Sequence, residues 1–287
     1  MKEIETDWIS SDGNFQLADN ESNSSGESVV IRNILGDNYT LGDKLRRNDT
    51  RFENYHDYIQ TRFTGYETYK FILGHTELVL DESTSILEIG CGDGRVAAEF
   101  ARNHPSLSYT GFDINKNWIK QLKEKFQLPN YKFKYSDIHN GMYNPEGCQK
   151  PEKFSFKLAD NDYDLIYLAS VFTHMRLDGV RNYLSEIENL LDEGGEIWSS
   201  WYIIPEGSDE HKNGRNRVEN FKYDMGNFYT CNKECPETAI AYSEEMINKL
   251  LSKTRLEIKN KTFGYWRNNN HKSDLHRLNQ DILVLKK

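Results

Sequence analysis

Short apolar runs alternate with segments of helical periodicity along most of the chain. After residue 95, for example, Val96, Ala97, Phe100 and Ala101 form a stripe suited to a helix that packs on a sheet. Strands and helices that alternate in this way predict a doubly wound α/β sheet, because crossovers between parallel strands are almost always right-handed. The predicted strands are the runs that begin at Ile86, Tyr109, Tyr131, Tyr163, Glu196, Leu256 and Gln280.

Changes in this pattern divide the chain into three parts. Residues 1–36 are rich in Ser, Asn, Asp and Glu and predict a disordered polar tail. Residues 37–82 carry aromatic side chains at roughly helical intervals and predict an N-terminal helical cap of two helices, with Gly65 and Gly74 at their ends. Residues 83–287 form the α/β domain, with an aperiodic insertion at about 204–242 where ligand specificity would be set.

Composition narrows the class of protein. With 287 residues and 37% apolar content, the chain can bury one large core. It lacks an apolar stretch of the roughly 18 residues that a membrane span needs, and it begins without a secretion signal. We therefore expect a soluble, cytoplasmic protein with no membrane span. A formal charge of -9 argues against nucleic acid as the main partner. The four scattered cysteines predict reduced thiols and no metal site.

The clearest candidate for chemistry is the stretch Ile-Leu-Glu-Ile-Gly-Cys-Gly-Asp-Gly-Arg at residues 86–95. It predicts a buried strand, a tight turn and a helix start. Gly90, Gly92 and Gly94 can take positive φ and let a ligand lie against bare backbone, beside the free amides of the next helix. The spacing differs from the Gly-x-Gly-x-x-Gly pattern of dinucleotide sites. A nicotinamide site or a structural loop remains open as an alternative.

This motif resembles that of the class I S-adenosylmethionine-dependent methyltransferases. The resemblance implies a Rossmann-like sheet of seven mostly parallel strands, the last one antiparallel, with an N-terminal helical extension. It also implies S-adenosyl-L-methionine as the cofactor. Glu88 would then orient the amino group of the cofactor, while the turn formed by Gly90, Cys91, Gly92 and Gly94 would pass its methionine and ribose parts.

Acidic residues follow the next two predicted strands. Asp113 ends the second strand, where a carboxylate can accept both ribose hydroxyl protons, and Ile114 comes next. Asp113 could instead cap the following helix, although Asn115 could serve that purpose. Ser136, Asp137 and Ile138 follow the third strand, where the resemblance implies contact with adenine; a solvated loop is the alternative. Residues 139–154 predict an inserted surface loop.

Candidates for catalysis and acceptor binding come from the later strands. Ser170 follows the fourth strand and is a candidate cofactor contact, and His174 lies five residues beyond that strand, at the edge of the sheet where ligands bind. We expect His174 to act as a general base, or else to hydrogen-bond the loop or the substrate. The helical cap could cover the edge of the sheet or form part of a lid over the cofactor. The candidate acceptor contacts are Arg62, Tyr66, Tyr202, Trp266 and Arg267.

Short segments suggest the class of acceptor. The sequences Ser-Val-Phe-Thr-His, Asp-Glu-Gly-Gly, Gly-Tyr-Trp-Arg and Gln-Asp-Ile-Leu-Val look like those of a methyltransferase subgroup that modifies polysaccharides and glycans. This resemblance implies O-methylation of a sugar hydroxyl or a uronic-acid carboxylate on a glycan or glycolipid precursor. A small-molecule or protein methyltransferase and a non-catalytic cofactor-binding module are the alternatives. Ser170 is not followed by the Pro-Pro-aromatic sequence usual in amino methylation of bases. The sequence predicts no oligomeric state.

Overall fold

Seven strands form the central sheet of the protein. The computed structural model describes residues 2–4, 29–31, 39–40, 55–126, 128–158, 162–208, 220–266 and 279–287, with side chains from Gly65 onward in the first helix. In chain order the described elements are β1 (Lys2–Ile4), β2 (Val29–Ile31), β3 (Tyr39–Thr40), α1 (Tyr55–His75), β4 (Ser85–Ile89), α2 (Arg95–Asn103), β5 (Ser108–Asp113), α3 (Lys116–Lys125), β6 (Tyr131–Tyr135), β7 (Tyr163–Leu168), α4 (Leu177–Leu190), β8 (Leu191–Trp201), β9 (Ile203–Ile204), β10 (Tyr223–Asp224), β11 (Tyr229–Thr230), β12 (Ile240–Ser243), α5 (Glu244–Leu251), β13 (Glu257–Thr262) and β14 (Asp281–Lys286).

The strand order of the central sheet is β13-β14-β8-β7-β4-β5-β6. Strands β4 to β8 run parallel to one another, whereas β14 is antiparallel to both β8 and β13. The order reverses at β4, so the crevice between the ends of β4 and β7 is the expected ligand site of such a sheet. The predicted seven-stranded, mostly parallel sheet with an antiparallel last strand is confirmed.

Helices cover both faces of the sheet, which explains why its central strands are apolar on both sides. One core contains Leu87 and Ile89 of β4, packed with the buried stripes of α4 and α5. The other contains Ile86, packed with residues of α1, α2 and α3. Residues of β4 therefore alternate between two buried environments, and this alternation decides which neighbours each side chain meets.

The described part of the helical cap differs from the prediction in the role of its two glycines. Among its described residues one helix, α1, runs from Tyr55 to His75 and passes through both glycines, so neither ends a helix there. Gly65 lies where α1 approaches the start of α2, because a Cβ there would come within 2.6 Å of the Arg95 carbonyl oxygen. Gly65, in the interior of α1, thus permits close contact between α1 and the start of α2. Gly74, by contrast, is exposed and would have no atom within 4 Å of an added Cβ.

The two glycines of α1 provide a matched pair of substitutions. Gly65→Ala should lower the free energy of unfolding by about 1–3 kcal/mol, since the backbone of Arg95 must move. Gly74→Ala should raise it by about 0.4–1 kcal/mol, since alanine restricts the unfolded chain and clashes with nothing. Urea denaturation of both variants measures the difference. Equal effects at the two positions would show that α1 does not pack closely on Arg95.

The N-terminal part of the chain is described only in short pieces. Strands β1, β2 and β3 form a small sheet in that order, and β1 and β2 fall within the predicted polar tail. The rest of that tail lies outside the described residues, so its predicted disorder and the domain boundaries stay predictions. Within the described part of the chain, no helix is both long enough and apolar enough to cross a membrane.

Two excursions from the sheet shape the site. The insertion contains a second sheet with the order β10-β11-β12-β9, where β9 and β12 are parallel. The segment between β6 and β7 is less superficial than the predicted surface loop, because Phe154 and Phe156 are buried in the core beside α4. This connecting segment is anchored to the end of β6, since the amide of Gln149 donates to the Asp137 carbonyl oxygen over 2.9 Å. Both excursions contribute residues to the crevice.

Candidate cofactor and active site

The glycine turn after β4 has the bare, left-handed backbone that the sequence predicts. Gly90, Gly92 and Gly94 have φ values of 80°, 52° and 78°. Gly90 is also constrained by space, because a Cβ there would lie 2.6 Å from the Cγ2 atom of Val171. The amides of Gly90 and Cys91 both donate to the Phe112 carbonyl oxygen. Neighbouring strands therefore fix the turn at the crevice, and a side chain at position 90 would block it.

A cavity of about 750 Å³ opens at the turn. That volume lies within the roughly 300–1,000 Å³ typical of small-molecule sites. The structure brings eight of the twelve predicted cofactor and catalytic residues to its wall and leaves the other four away from it. Those on the wall are Gly90, Gly92, Asp113, Ile114, Ser136, Ile138, Ser170 and His174.

Asp113 is the best-defined polar group on this wall. Its carboxylate is buried and accepts hydrogen bonds from the amides of Gly92 and Asn115, each over 2.7 Å. Burial raises the pKa of the Asp113 carboxyl, while these backbone hydrogen bonds act in the opposite direction. Each oxygen has a second lone pair, so both can accept a hydroxyl proton. Asp113 is not the cap of α3, because Asn115 accepts from Asn117 and Trp118 in that role.

Glu88 lies elsewhere than predicted. Its side chain shares the α2 face of β4 with Ile86 and accepts a short hydrogen bond from the Tyr109 hydroxyl, which lies 2.5 Å from the Tyr167 hydroxyl. Desolvation raises the pKa of Glu88 to about 8, against the opposing effect of the two tyrosines. The carboxyl is therefore mostly protonated at neutral pH. A neutral acid that faces away from the cavity is poorly suited to orient the amino group of a cofactor.

Three further cofactor candidates are also away from the wall. The Cys91 thiol is buried in the core beside α2, and desolvation raises its pKa. Gly94 faces α3, where a Cβ would come within 2.3 Å of the Leu122 side chain. Asp137 accepts from the Tyr135 hydroxyl over 2.8 Å, which lowers its pKa. Ser136 and Ile138, on either side of Asp137, do reach the wall, so the segment is well placed although its acid is not.

Ser170 closes the end of β7 in an unusual conformation. Its φ of 59° makes it the one described non-glycine residue in the left-handed region. The Ser170 amide donates to the Ser200 hydroxyl over 2.7 Å, and both hydroxyls donate to the Gln280 side-chain oxygen, over 3.0 and 2.6 Å. Strained backbone held by surrounding hydrogen bonds is typical of functional sites. Here it turns the chain from β7 toward His174.

The two ring nitrogens of His174, Nδ1 and Nε2, have different roles. Its Nδ1 atom lies 2.8 Å from the Glu237 carbonyl oxygen, and a carbonyl can only accept, so Nδ1 carries the proton. In this tautomer Nε2 carries the lone pair of the neutral ring, and His174 lines the cavity. Desolvation lowers the pKa of His174, with the backbone contacts at Glu237 and Thr238 opposing it. The ring is therefore neutral at pH 7 and able to accept a proton.

Two segments, the loop after β6 and the insertion, hold the backbone and side chains of residues 174–176. The Asn140 amide group donates to the His174 carbonyl oxygen over 2.8 Å, and the Tyr242 hydroxyl donates to the Met175 carbonyl oxygen over 2.6 Å. Arg176 donates to both carboxylate oxygens of Glu237, over 2.6 and 3.4 Å. The insertion and the loop after β6 thus fix the position of the candidate base.

Several residues of the cavity wall were not predicted from the sequence. Asn140 and Tyr143 come from the loop after β6, Arg176 follows His174, and Glu237 belongs to the insertion. The loop and the insertion have no hydrophobic periodicity, so nothing in the pattern indicated which of their residues face inward. The cluster of Asn, Gly and Pro after Asp137 indicated a turn but gave no direction.

The predicted acceptor contacts that the structure describes do not line the cavity. Tyr202 and Trp266 are buried against Phe221 in the core of the insertion, and the Trp266 indole donates to Asp281 over 2.8 Å, so both are structural. Tyr66 lies on α1 and does not reach the cavity wall. The Arg62 side chain and Arg267 lie outside the described residues.

Comparison with known proteins agrees with this geometry. The family model described as Methyltransferase domain matches residues 87–197, from β4 to β8. A chain of the complex between the Haloferax volcanii Trm112 methyltransferase activator and a methyltransferase superposes with a TM-score of 0.50 at 11% identity, covering 77% of this chain and 89% of that one. The protein has the class I S-adenosylmethionine-dependent methyltransferase fold. The family model and this fold also confirm the predicted cofactor, S-adenosyl-L-methionine.

Two curated relatives of this chain have names that refer to different acceptors. Malonyl-[acyl-carrier protein] O-methyltransferase 1 of Ilyobacter polytropus is 30% identical over 114 residues, which is 39% of this chain and only 36% of the relative. The tRNA (guanine-N(7)-)-methyltransferase of Mycoplasmopsis agalactiae is 26% identical over 179 residues, 55% of this chain and 78% of the relative. Neither name refers to a glycan, so the subgroup resemblance gains no support.

The wall residues fit this cofactor chemically. Bare backbone at Gly90 and Gly92 leaves room for the methionine part, and the Asp113 oxygens can accept from a ribose diol. Ile114 and Ile138 offer apolar surface for a flat base, as in many small-molecule sites. One cavity thus contains a surface that is chemically compatible with an adenosyl group, together with the ring of His174.

Proposed function

We propose that the protein transfers a methyl group from S-adenosylmethionine to an oxygen atom of its acceptor, with His174 as the general base. The observation that carries this proposal is the Nε2 lone pair of His174, in the same cavity as Asp113 and the glycine turn. A hydroxyl acceptor is barely ionised near neutral pH and therefore benefits from such a base. The name of the malonyl-carrier relative, an O-methyltransferase, supports oxygen as the acceptor atom.

The chain would contribute mainly alignment and proton removal. When bound, S-adenosylmethionine supplies the electrophilic methyl group. Asp113 would hold the ribose, the Gly90 and Gly92 backbone would lie along the methionine part, and His174 Nε2 would take the acceptor proton as the oxygen forms its new bond. Correct alignment can lower a barrier by roughly 7–11 kcal/mol. The general base would add about 10²- to 10⁴-fold in rate.

The class of acceptor is a narrower part of the proposal. The assignment of a sugar hydroxyl or a uronic-acid carboxylate of a glycan precursor as the acceptor rests on the short sequence resemblances alone. A small molecule or a carrier-bound acyl group is the alternative that the name of one relative supports. RNA is included among the candidates because the other relative methylates a tRNA base, although the net charge of -9 disfavours it. A cytoplasmic location likewise remains a prediction.

Binding and transfer experiments test these proposals separately. Calorimetry with S-adenosylmethionine, S-adenosylhomocysteine and NAD should show binding of the first two and none of NAD; tight NAD binding alone would refute the proposal. Labelled cofactor is then incubated with glycans, acyl-carrier-bound acids, small hydroxyl compounds and RNA, and products are detected by mass spectrometry. Cofactor binding without transfer to any acceptor class would favour a non-catalytic module.

A further inference from the structure

Tyr143 stands on a tightly built turn after β6. The backbones of Asn140 and Asn144 exchange two hydrogen bonds of 3.0 Å. The side-chain oxygen of Asn140 accepts from the amides of Met142 and Tyr143, each over 3.0 Å. Tyr143 nevertheless remains 51% exposed and lines the cavity. A half-exposed aromatic side chain on a fixed turn is prepared to contact a ligand.

The ring lies beside the candidate base, on the wall of the cavity that the candidate ribose ligand also lines. Its centroid is 5.1 Å from that of the His174 ring, and the two planes are nearly perpendicular, at 88°. The charge of Asp113 contributes, after desolvation, to raising the pKa of Tyr143, so the phenol is within electrostatic reach of that carboxylate. Asn140 also ties this turn to the His174 carbonyl. A perpendicular neighbour covers at most one ring face.

The cationic part of the cofactor belongs in the interval between Asp113, the candidate ribose ligand, and His174, the candidate base. In S-adenosylmethionine the sulfur is bonded to the ribose and carries the methyl group that points to the acceptor. Given a ribose at Asp113 and an acceptor at His174, the sulfonium lies between them. Two of the acids near this interval have other partners, because Glu88 is turned away with its tyrosines and Glu237 binds Arg176. The face of the Tyr143 ring, next to the candidate base, is a group that attracts a cation.

We propose that the Tyr143 ring forms the wall against which the sulfonium binds, so that the protein favours the charged cofactor over its neutral product. This inference rests on the proposed function and adds a residue that determines cofactor specificity. Methyl transfer converts the sulfonium into the neutral thioether of S-adenosylhomocysteine. Loss of the ring–cation attraction at that step would favour release of the product.

Calorimetry with three ligands tests the role of the ring. The ligands are S-adenosylmethionine, S-adenosylhomocysteine and sinefungin, in which a charged amine replaces the sulfonium. Tyr143→Leu should weaken binding of the two charged ligands by about 3- to 30-fold. Its affinity for the neutral thioether should change by less than about twofold. Tyr143→Phe keeps the ring and should bind all three nearly as the wild type does.

Matched controls separate this effect from damage to the turn. Met142→Leu changes the adjacent exposed side chain, which does not line the cavity, and should leave all three affinities unchanged. Equal losses for charged and neutral ligands in Tyr143→Leu would overturn the inference, as would a Tyr143→Phe variant that behaves like Tyr143→Leu. Either outcome leaves the proposed function intact if the wild type binds S-adenosylmethionine. Failure of the wild type to bind it would instead refute the proposed function.

Discussion

Replacing His174 with asparagine should lower kcat by about 10²- to 10⁴-fold while affinity for S-adenosylmethionine stays close to that of the wild type. Asparagine can place an N–H near the position of Nδ1 and keep the hydrogen bond to the Glu237 carbonyl. It has no basic nitrogen at the position of Nε2. The variant therefore removes the base and preserves its anchor. Steady-state kinetics measures the loss of kcat, and calorimetry measures the affinity for S-adenosylmethionine.

The pH dependence gives a second measure of the same residue. Desolvation places the pKa of His174 below its ordinary value of 6.5. The neutral, active form is present above that pKa and is lost as the pH falls through it. The kcat/KM of the wild type should therefore rise with pH on an acid limb below 6.5 and then level off. His174→Asn should lack this limb.

A control histidine makes the comparison specific. The Nδ1 atom of His75 lies 2.8 Å from the Phe71 carbonyl oxygen, the same kind of hydrogen bond, at the end of α1 and away from the cavity. His75→Asn should leave kcat and the pH profile unchanged. Near-normal turnover in His174→Asn would exclude the general base and favour a carboxylate acceptor, which needs no deprotonation at neutral pH.

Asp281→Ala should lower the free energy of unfolding by about 3–5 kcal/mol. Asp281 is fully buried at the start of β14, where one oxygen accepts from the Ile203 amide at 2.7 Å and the Trp266 indole at 2.8 Å. The other accepts from the Gly264 amide at 2.9 Å. Alanine would leave these three donors without this acceptor, and each unsatisfied buried group is costly. Urea denaturation measures the loss.

An exposed acid serves as the reference for Asp281. Glu193 is 81% exposed and lies 3.9 Å from Arg255. Glu193→Ala should change the free energy of unfolding by no more than about 0.5 kcal/mol, since exposed ion pairs contribute little. A loss of less than about 1 kcal/mol in Asp281→Ala would mean that water can reach these donors. The insertion would then be held less firmly to the sheet than its buried contacts indicate.

The sequence predicted those parts of the molecule that depend on local periodicity. The strands and the turn with positive φ followed from apolar runs and glycine spacing, and Asp113 followed from its place at the end of β5. Glu88 shows the limit of this reasoning. Both faces of β4 are buried, so the alternation of its side chains could not indicate which face holds the ligand, and Tyr109 and Tyr167 on neighbouring strands decide it.

The second limit concerns segments without periodicity. Glu237 fixes His174 from 63 residues further along the chain, and Tyr143 reaches the cavity from a loop that the pattern placed on the surface. Such contacts depend on how the excursions fold back over the sheet. Trp266 illustrates the reverse error, because its place in the connection between the last two strands suggested a ligand contact while its bulk fills the core of the insertion.

The position of β14 affects how the central sheet assembles during synthesis of the chain. This strand pairs with β8 and with β13, so it occupies the interior of the sheet although it follows all other strands in the chain. As the chain leaves the ribosome, β8 keeps an unpaired edge throughout synthesis of the insertion, and unpaired edges promote association between chains. Gln280, which binds Ser170, also emerges after the insertion. The glycine turn and His174 are therefore synthesised well before the cavity that they serve can close.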